Sequence, residues 1–534
     1  MPSVELLAPI VGDRIPVKGF WRNAGSVATQ SGFNVKLEIK RENTIAFEQF
    51  VKVSQPVKPL EEHALDVTPE FVIPQPDIYQ VILTLDPEGV IAKSRKGNNA
   101  TSISLPEVPD LSQEPTFSKY PEDIAALTQA EKDIEKYRKG DAIITVLDSK
   151  GQPTSGLKVE YQQTRHSFLF GVAFPTPYDR GSEEKLRSLM KEAGINYTTI
   201  GVHWSSREPT PGVYRLEPGL TDTLRKYNFA GVGYSLIYLT KLWTVIPDYI
   251  YRSTFEEFRN AVYPHIYRVV SAYKQDIKIW NVLHEPMSQQ ANSLGLTSKQ
   301  TIEIIKEGTR AIRDADPNAR ILIANDNAGG DLQGVYFYDF LKEALQSNVD
   351  FDIIGLEFYY NNSGRFFHRA RRTLTAMAEL IDKYSTLGKK IQITELSAPS
   401  DNIEGNKGYW DQLWSQELQA EYLKAAYTLF FSKPKVEAIA WWGAADRTGW
   451  GSYLYGSLLD EQDRPKKSYY ALKQLINSWM TSGTSVTNDK GQVTFRGFGG
   501  TYDVTVTDIK TGLSKKQEVK IEEQKLNSIT IVFD

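Results

Sequence analysis

Eight short apolar runs recur between residues 166 and 479, at 168–173, 197–202, 230–237, 277–283, 320–324, 351–356, 390–394 and 436–442. Stretches of helical periodicity lie between them, at 182–193, 255–273, 298–314, 373–384 and 415–431. A strand that is apolar almost throughout is buried on both faces, as strands of a parallel sheet are. Parallel neighbours need a long crossover, which the helices supply. Eight repeats of this kind close into a barrel, and the span exceeds the ~250 residues typical of that architecture, leaving room for enlarged loops. The expected fold class is therefore α/β, a (β/α)8 TIM barrel, with an open doubly wound sheet as the alternative.

The flanks read differently. Residues 1–105 alternate short period-two runs with turn residues and lack helical periodicity, which points to an N-terminal β-sandwich, immunoglobulin-like or carbohydrate-binding-like. Residues 106–139 combine a Pro-rich acidic linker with an Ala/Leu/Glu/Lys-rich helix. Strand patterns then return at 141–147 and 157–161, and again at 488–495, 500–506 and 528–533. Two strands alone are marginal in water, so residues 140–165 are expected to pair with 481–534 in one split β-sandwich, interrupted by the barrel at 166–480.

Charge and composition narrow the partners. Lys and Arg number 62 against 66 Asp and Glu, and a net charge of −4 leaves no electrostatic footprint for nucleic acid or an anionic membrane. No apolar run reaches the ~18 residues of a membrane span. The start, Met1-Pro2-Ser3-Val4-Glu5, has neither the basic segment nor the apolar core of a secretion signal. The absence of cysteine rules out disulfides, thiolate metal sites and cysteine nucleophiles. A neutral partner fits best. The 10 Trp and 28 Tyr suit stacking against sugar rings, although an aromatic core draws on the same residues.

Catalytic groups of such barrels end the strands at the carboxyl face. Glu285 follows the fourth run and Glu395 the seventh. One glutamate closing an apolar strand is more often a salt-bridge partner. Two at opposed strand ends make a candidate pair for glycoside hydrolysis with retention, which needs carboxyl groups about 5–5.5 Å apart.

Several segments resemble glycoside hydrolase family ten, typified by β-1,4-xylanases: WNVLHEP around Glu285, ITEL around Glu395, FLFGVA at 168–173, HWSSREPTPG at 203–212 and WWGAADRTGW at 441–450. The resemblance implies a retaining β-glycosidase acting on a carbohydrate substrate by double displacement. It gives Glu285 the acid/base role and Glu395 the nucleophile role, and it implies no cofactor. The sugar-binding candidates it suggests are His203, Trp204, Tyr234, His284, Asn325, Glu357, Tyr359, Trp442 and Trp450.

Departures from the family pattern gather on these residues. His284 stands where the family has the Asn that binds the sugar 2-hydroxyl, and Tyr234 and Tyr238-Leu239 replace a His and a Trp-His. Glu357-Phe358-Tyr359 replaces Gln-x-His, so Tyr359 is expected to orient Glu395, and Ser397 replaces a supporting Asp. The combination suggests altered specificity, with weak or no activity on plain xylan. His203 and His284 lack a third ligand at a diagnostic spacing, so no metal is expected. A non-catalytic glycan-binding protein is the competing reading, and retention of both glutamates weighs against it. The substrate class points to an extracellular or cell-surface location, with a secretion signal absent from this sequence and the cytoplasm still open. Oligomeric state is not legible.

Overall fold

A computed structural model of the chain describes residues 2–533 except 5, 23–27, 30–31, 43, 59–61, 91–99, 112–115, 175–182, 242, 289–290, 327–334, 361–372, 402–407 and 448–454. The chain separates into two compact units, 1–116 and 117–534.

The first unit contains seven strands: β1 (Pro2–Val4), β2 (Val17–Arg22), β3 (Phe33–Arg41), β4 (Thr44–Val53), β5 (Glu62–Val67), β6 (Tyr79–Leu85) and β7 (Ala100–Ser104). They form one sheet in the order β4-β3-β6-β7 and a second in the order β1-β2-β5. Alternate residues of β3 and β6, among them Val35, Leu37, Ile39, Tyr79 and Val81, fill a shared core with Val17 and Leu65. Period-two patterning thus yields one buried face per sheet.

The second unit begins with a helix, α1 (Pro121–Tyr137), followed by β8 (Lys139–Leu147) and β9 (Lys158–His166). These two strands cannot bury their apolar faces alone. Near the end of the chain lie β18 (Ser482–Val486), β19 (Gln492–Phe498), β20 (Gly500–Thr507), β21 (Ser514–Ile521) and β22 (Leu526–Val532). β8 pairs with β19 and β22, and β9 with β18 and β20. Ile144, Val146, Val159, Tyr502, Val504 and Ile531 share the core between the two sheets.

Between them, eight parallel strands close a barrel: β10 (Leu169–Val172), β11 (Tyr197–Gly201), β12 (Ala230–Tyr234), β13 (Ile277–His284), β14 (Arg320–Asp326), β15 (Ile353–Tyr359), β16 (Lys390–Ser397) and β17 (Val436–Trp441). Tyr197, Val232, Ile279, Leu322, Ile353 and Ala438 pack in one cluster. Tyr197 reaches across to Gln392 with a 2.9 Å hydrogen bond. Gly171 makes room for that ring, because a Cβ there would lie 2.4 Å from Tyr197 Cδ1. β15 and β16 run on past the expected ends at 356 and 394, so that Glu357, Tyr359 and Glu395 are strand residues.

Two register shifts aim the ends of these strands. Along β13, Asn281 pairs with Leu322 but Leu283 with Ile323, so Val282 is an extra residue. Along β16, Ile393 pairs with Leu356 but Glu395 with Glu357, so Thr394 is extra. Each bulge inverts the inside–outside alternation beyond it. An unbroken alternation from Gln392 would turn residue 394 inward and 395 away. With the bulge, Glu395 turns inward.

Helix α1 straps onto the barrel. The Asp123 carboxylate is fully buried and accepts from Tyr409 Oη at 2.8 Å, Trp410 Nε1 at 2.9 Å and the Leu374 backbone N–H at 3.1 Å. Beyond the helix, Arg138 donates to the carbonyls of Phe431, Lys433 and Val436. One carboxylate therefore joins the loop after β16 to the helix Leu374–Ser385. Replacing Asp123 with Ala would strand buried donors at a cost of about 1–3 kcal/mol each when unmet. The urea unfolding midpoint of D123A should fall by the equivalent of roughly 2–4 kcal/mol, and an unchanged midpoint would remove α1 from the barrel's stability.

Candidate active site

The strand ends deliver a set of aromatic and acidic side chains to one place. Tyr234 ends β12, His284 ends β13 with Glu285 next, Glu357 and Tyr359 close β15, and Glu395 lies near the end of β16. The Tyr234 hydroxyl donates to Glu395 Oε1 at 3.1 Å and meets His284 Nε2 at 2.8 Å. The Tyr359 hydroxyl donates to Glu395 Oε2. Tyr238, in the loop after β12, donates to Glu285 Oε2 at 2.8 Å. His284 Nε2 stands 3.6 Å from Glu395 Oε1 and 3.8 Å from Glu357 Oε1. Glu285 itself has φ 49°, a left-handed conformation that non-glycine residues rarely adopt and that clusters at functional sites. Its N–H is tied to the Ala324 carbonyl at 2.8 Å.

Burial sets the protonation of the lining. It pushes the Tyr234, Tyr238 and Tyr359 phenols well above their usual range, with the neighbouring glutamates adding to the effect. All three stay protonated as donors. His284 is pushed down to about 3 by burial and by His203, and His203 itself to about 4 by burial and Arg207. Both imidazoles are neutral.

Of the sugar-binding candidates, Tyr234, Glu357 and Tyr359 gather around the two glutamates. The partly buried Trp442 joins them, its ring 5.3 Å from that of Tyr234, and His203 packs edge-on to Tyr234 at 5.8 Å. Three candidates need correction. Trp204 is 1% exposed, stacked 4.0 Å from His265 with its indole N–H given to Tyr249, so no face is open to a sugar. His284 has both ring nitrogens engaged, Nδ1 with Asn281 at 3.1 Å and Nε2 with Tyr234, which leaves no donor for a sugar hydroxyl. Asn325 spends its amide on backbone, accepting from Met287 N–H at 2.9 Å and donating to the Asp326 carbonyl. It braces the turn after Glu285 instead. Trp450 lies outside the described residues. Trp410, Trp414 and Trp441 are buried packing residues.

Two further residues belong to the site. Asn281 sits within β13 and gives no signal in the sequence reading of strand ends, whereas Tyr238, in a loop four positions past the end of β12, is marked there only as a departure from the family pattern. Single ligand atoms of His284, Glu285 and Glu357 lie within 4.8 Å of one another, a spacing that an ion could bridge. The two hydrogen bonds of His284 leave it no lone pair for that task, so its donor chemistry does not fit a metal.

Comparison with known proteins adds ancestry to this geometry. The family model described as glycosyl hydrolase family 10 matches residues 167–475. Endo-1,4-beta-xylanase B of Thermotoga neapolitana is 27% identical over 297 residues, covering 53% of this chain and 81% of that protein. Anti-sigma-I factor RsgI6 of Acetivibrio thermocellus is 24% identical over 386 residues, covering 71% of this chain but 46% of its own. Native xylanase 10B from Thermotoga maritima aligns at 22% identity with a TM-score of 0.49, over 58% of this chain and 95% of that one.

The neutral histidines carry a pH signature. Burial lowers His166 to about 3, His203 to about 4 and His284 to about 3. The unfolded chain takes up protons at these imidazoles below about pH 6.5 while the folded chain does not. Their contribution is therefore complete above about pH 6.5 and is lost as pH falls toward 4, at about 1.4 kcal/mol per pH unit for each group. Urea midpoints measured from pH 7 to 4.5 should decline steeply. His166→Asn, which can still accept from the Phe168 N–H, should remove about one histidine's share of that slope, and a flat profile would mean that these imidazoles are charged in the fold.

Proposed function

The chain belongs to glycosyl hydrolase family 10, and on that premise we propose that it hydrolyses a neutral β-linked glycan by double displacement, with Glu395 as nucleophile and Glu285 as general acid/base. The supporting observation is the contrast between the two carboxylates. Glu395 is 4% exposed and receives a phenol hydroxyl on each oxygen. Donors on both oxygens favour the anion and fix its plane. Glu285 is more open and accepts the Tyr238 phenol on Oε2. Two carboxylates in environments that differ in this way divide the acid and nucleophile roles.

In the first step a Glu395 oxygen forms an ester bond to the anomeric carbon as the glycosidic bond breaks, and Glu285 gives its proton to the leaving oxygen. In the second step Glu285 removes a proton from water, whose oxygen displaces Glu395 with net retention. E395Q should lower kcat roughly 10^4-fold or more while still binding oligosaccharide. E285Q should slow substrates with alkyl leaving groups far more than activated aryl glycosides, whose leaving oxygen needs little protonation. Undiminished turnover by E395Q, or an inverted product anomer by NMR, would reject the assignment.

For the substrate we favour a β-linked glycan other than unsubstituted xylan. The relative from Thermotoga neapolitana is named as a 1,4-β-xylanase, but here phenols and engaged imidazoles line the place where sugar hydroxyls are bound, and polar groups matched to one sugar reject another. In a panel of β-linked polysaccharides at equal concentration, unsubstituted xylan should be cleaved at least about tenfold more slowly than the best substrate. Xylan as the best substrate would overturn this part. A second reading, glycan binding without turnover, draws support from the relative named as an anti-sigma factor rather than an enzyme. Oligosaccharide binding with no hydrolysis by the unaltered protein would favour it.

A further inference from the structure

We infer that Tyr234 is the positioning residue of the nucleophilic carboxylate, holding Glu395 Oε1 at the end of a neutral hydrogen-bond relay that starts at Asn281 and passes through His284. The inference rests on Glu395 being the nucleophile. The relay joins three barrel strands. Asn281 Nδ2 faces His284 Nδ1 at 3.1 Å and fills its lone pair, so the imidazole proton resides on Nε2. Nε2 stands 2.8 Å from the Tyr234 oxygen, and Tyr234 has one hydrogen, which goes to Glu395 Oε1 at 3.1 Å. Each link passes one hydrogen on toward the carboxylate. None of the intermediates carries charge, so the relay adds no uncompensated buried ion.

The ring of Tyr234 has no room to swing. His284 lies 4.7 Å, Trp442 5.3 Å and His203 5.8 Å from it, centre to centre. With Tyr359 on Oε2 from the neighbouring β15, the carboxylate is gripped on both oxygens. Such a grip sets the direction from which an oxygen approaches the anomeric carbon. It also opposes the pull of nearby acids toward protonation. Glu357 is the cross-strand neighbour of Glu395, and the charges of Glu395, Glu357 and Glu285 all push the Tyr234 phenol upward. Neutral His284, 3.6 Å from Oε1, completes the surroundings. A hydrogen bond to a carboxylate is strong when desolvated, so losing one donor should move the ionisation of Glu395 upward.

The test is Tyr234→Phe in the full chain, which keeps the ring and removes the hydroxyl. The Glu395 carboxyl carbon is followed by 13C NMR during a pH titration and assigned by its loss in E395Q. In Y234F it should titrate about one pH unit higher. On an aryl β-glycoside the acidic limb of kcat/KM should rise by the same amount while kcat drops roughly 10- to 100-fold. A merely structural role would lower the melting temperature without moving that limb. His284→Leu, which removes the donor into Tyr234, should shift Glu395 in the same direction by less and serves if Y234F does not fold. An unmoved Glu395 titration in a folded variant overturns the inference. The NMR readout does not need turnover. A moved titration in a protein that hydrolyses no glycoside therefore sinks the hydrolase reading and leaves Tyr234 as the holder of this carboxylate, whereas hydrolysis with an unmoved titration sinks the inference alone.

Discussion

The hydrogen-bonded ladder of the closed parallel barrel is the constraint on which the site depends. It fixes a period of two along every strand, so residues of one parity fill the interior and the others face the helices. That rule builds a packed core with little freedom at the mouth. Extra residues at Val282 and Thr394 break it where the chemistry is placed. Each bulge inverts the alternation beyond it, bringing His284 alongside Asn281 and turning Glu395 toward Tyr234 and Tyr359. Remove either bulge and the same residues point elsewhere.

What donates to the two glutamates is polar but uncharged. Three partly buried phenols supply the donors, and two neutral imidazoles stand beside them. Such a lining favours carboxylate ionisation through directed hydrogen bonds rather than through cationic side chains, and it ties acid stability to the same groups. Acidification protonates unfolded imidazoles that the fold keeps bare, so the neutrality that organises the site makes the protein sensitive to low pH.

Within the second unit, helix α1 supports the barrel by shared hydrogen bonds. Asp123 and Arg138 stand at the two ends of helix α1, one gathering donors from the loop after β16, the other satisfying carbonyls near the start of β17. The split sandwich is completed only when β18 to β22 return after the barrel. In this unit the order of the chain and the order of the sheets differ, and each piece is stabilised by residues far away in sequence.

The sequence determined the eight strand–helix repeats, the β-rich flanks and the strand ends that carry Glu285 and Glu395, because burial on two faces and period-two alternation leave compositional marks. It also placed Tyr234 and Tyr359 near the pair. Only the tertiary structure decided what each neighbour does. Trp204 reads as a sugar platform but is stacked on His265. His284 reads as a sugar ligand but spends both nitrogens inside the protein, and Asn325 braces backbone. Asn281 gave no signal, since a strand asparagine looks ordinary until the barrel closes, and Tyr238 stood out only as a departure from the family pattern, with no role attached. The physical reason is the same throughout. Patterning reports which residues are buried, whereas hydrogen-bond partners depend on bulges and on contacts between strands that are distant in sequence.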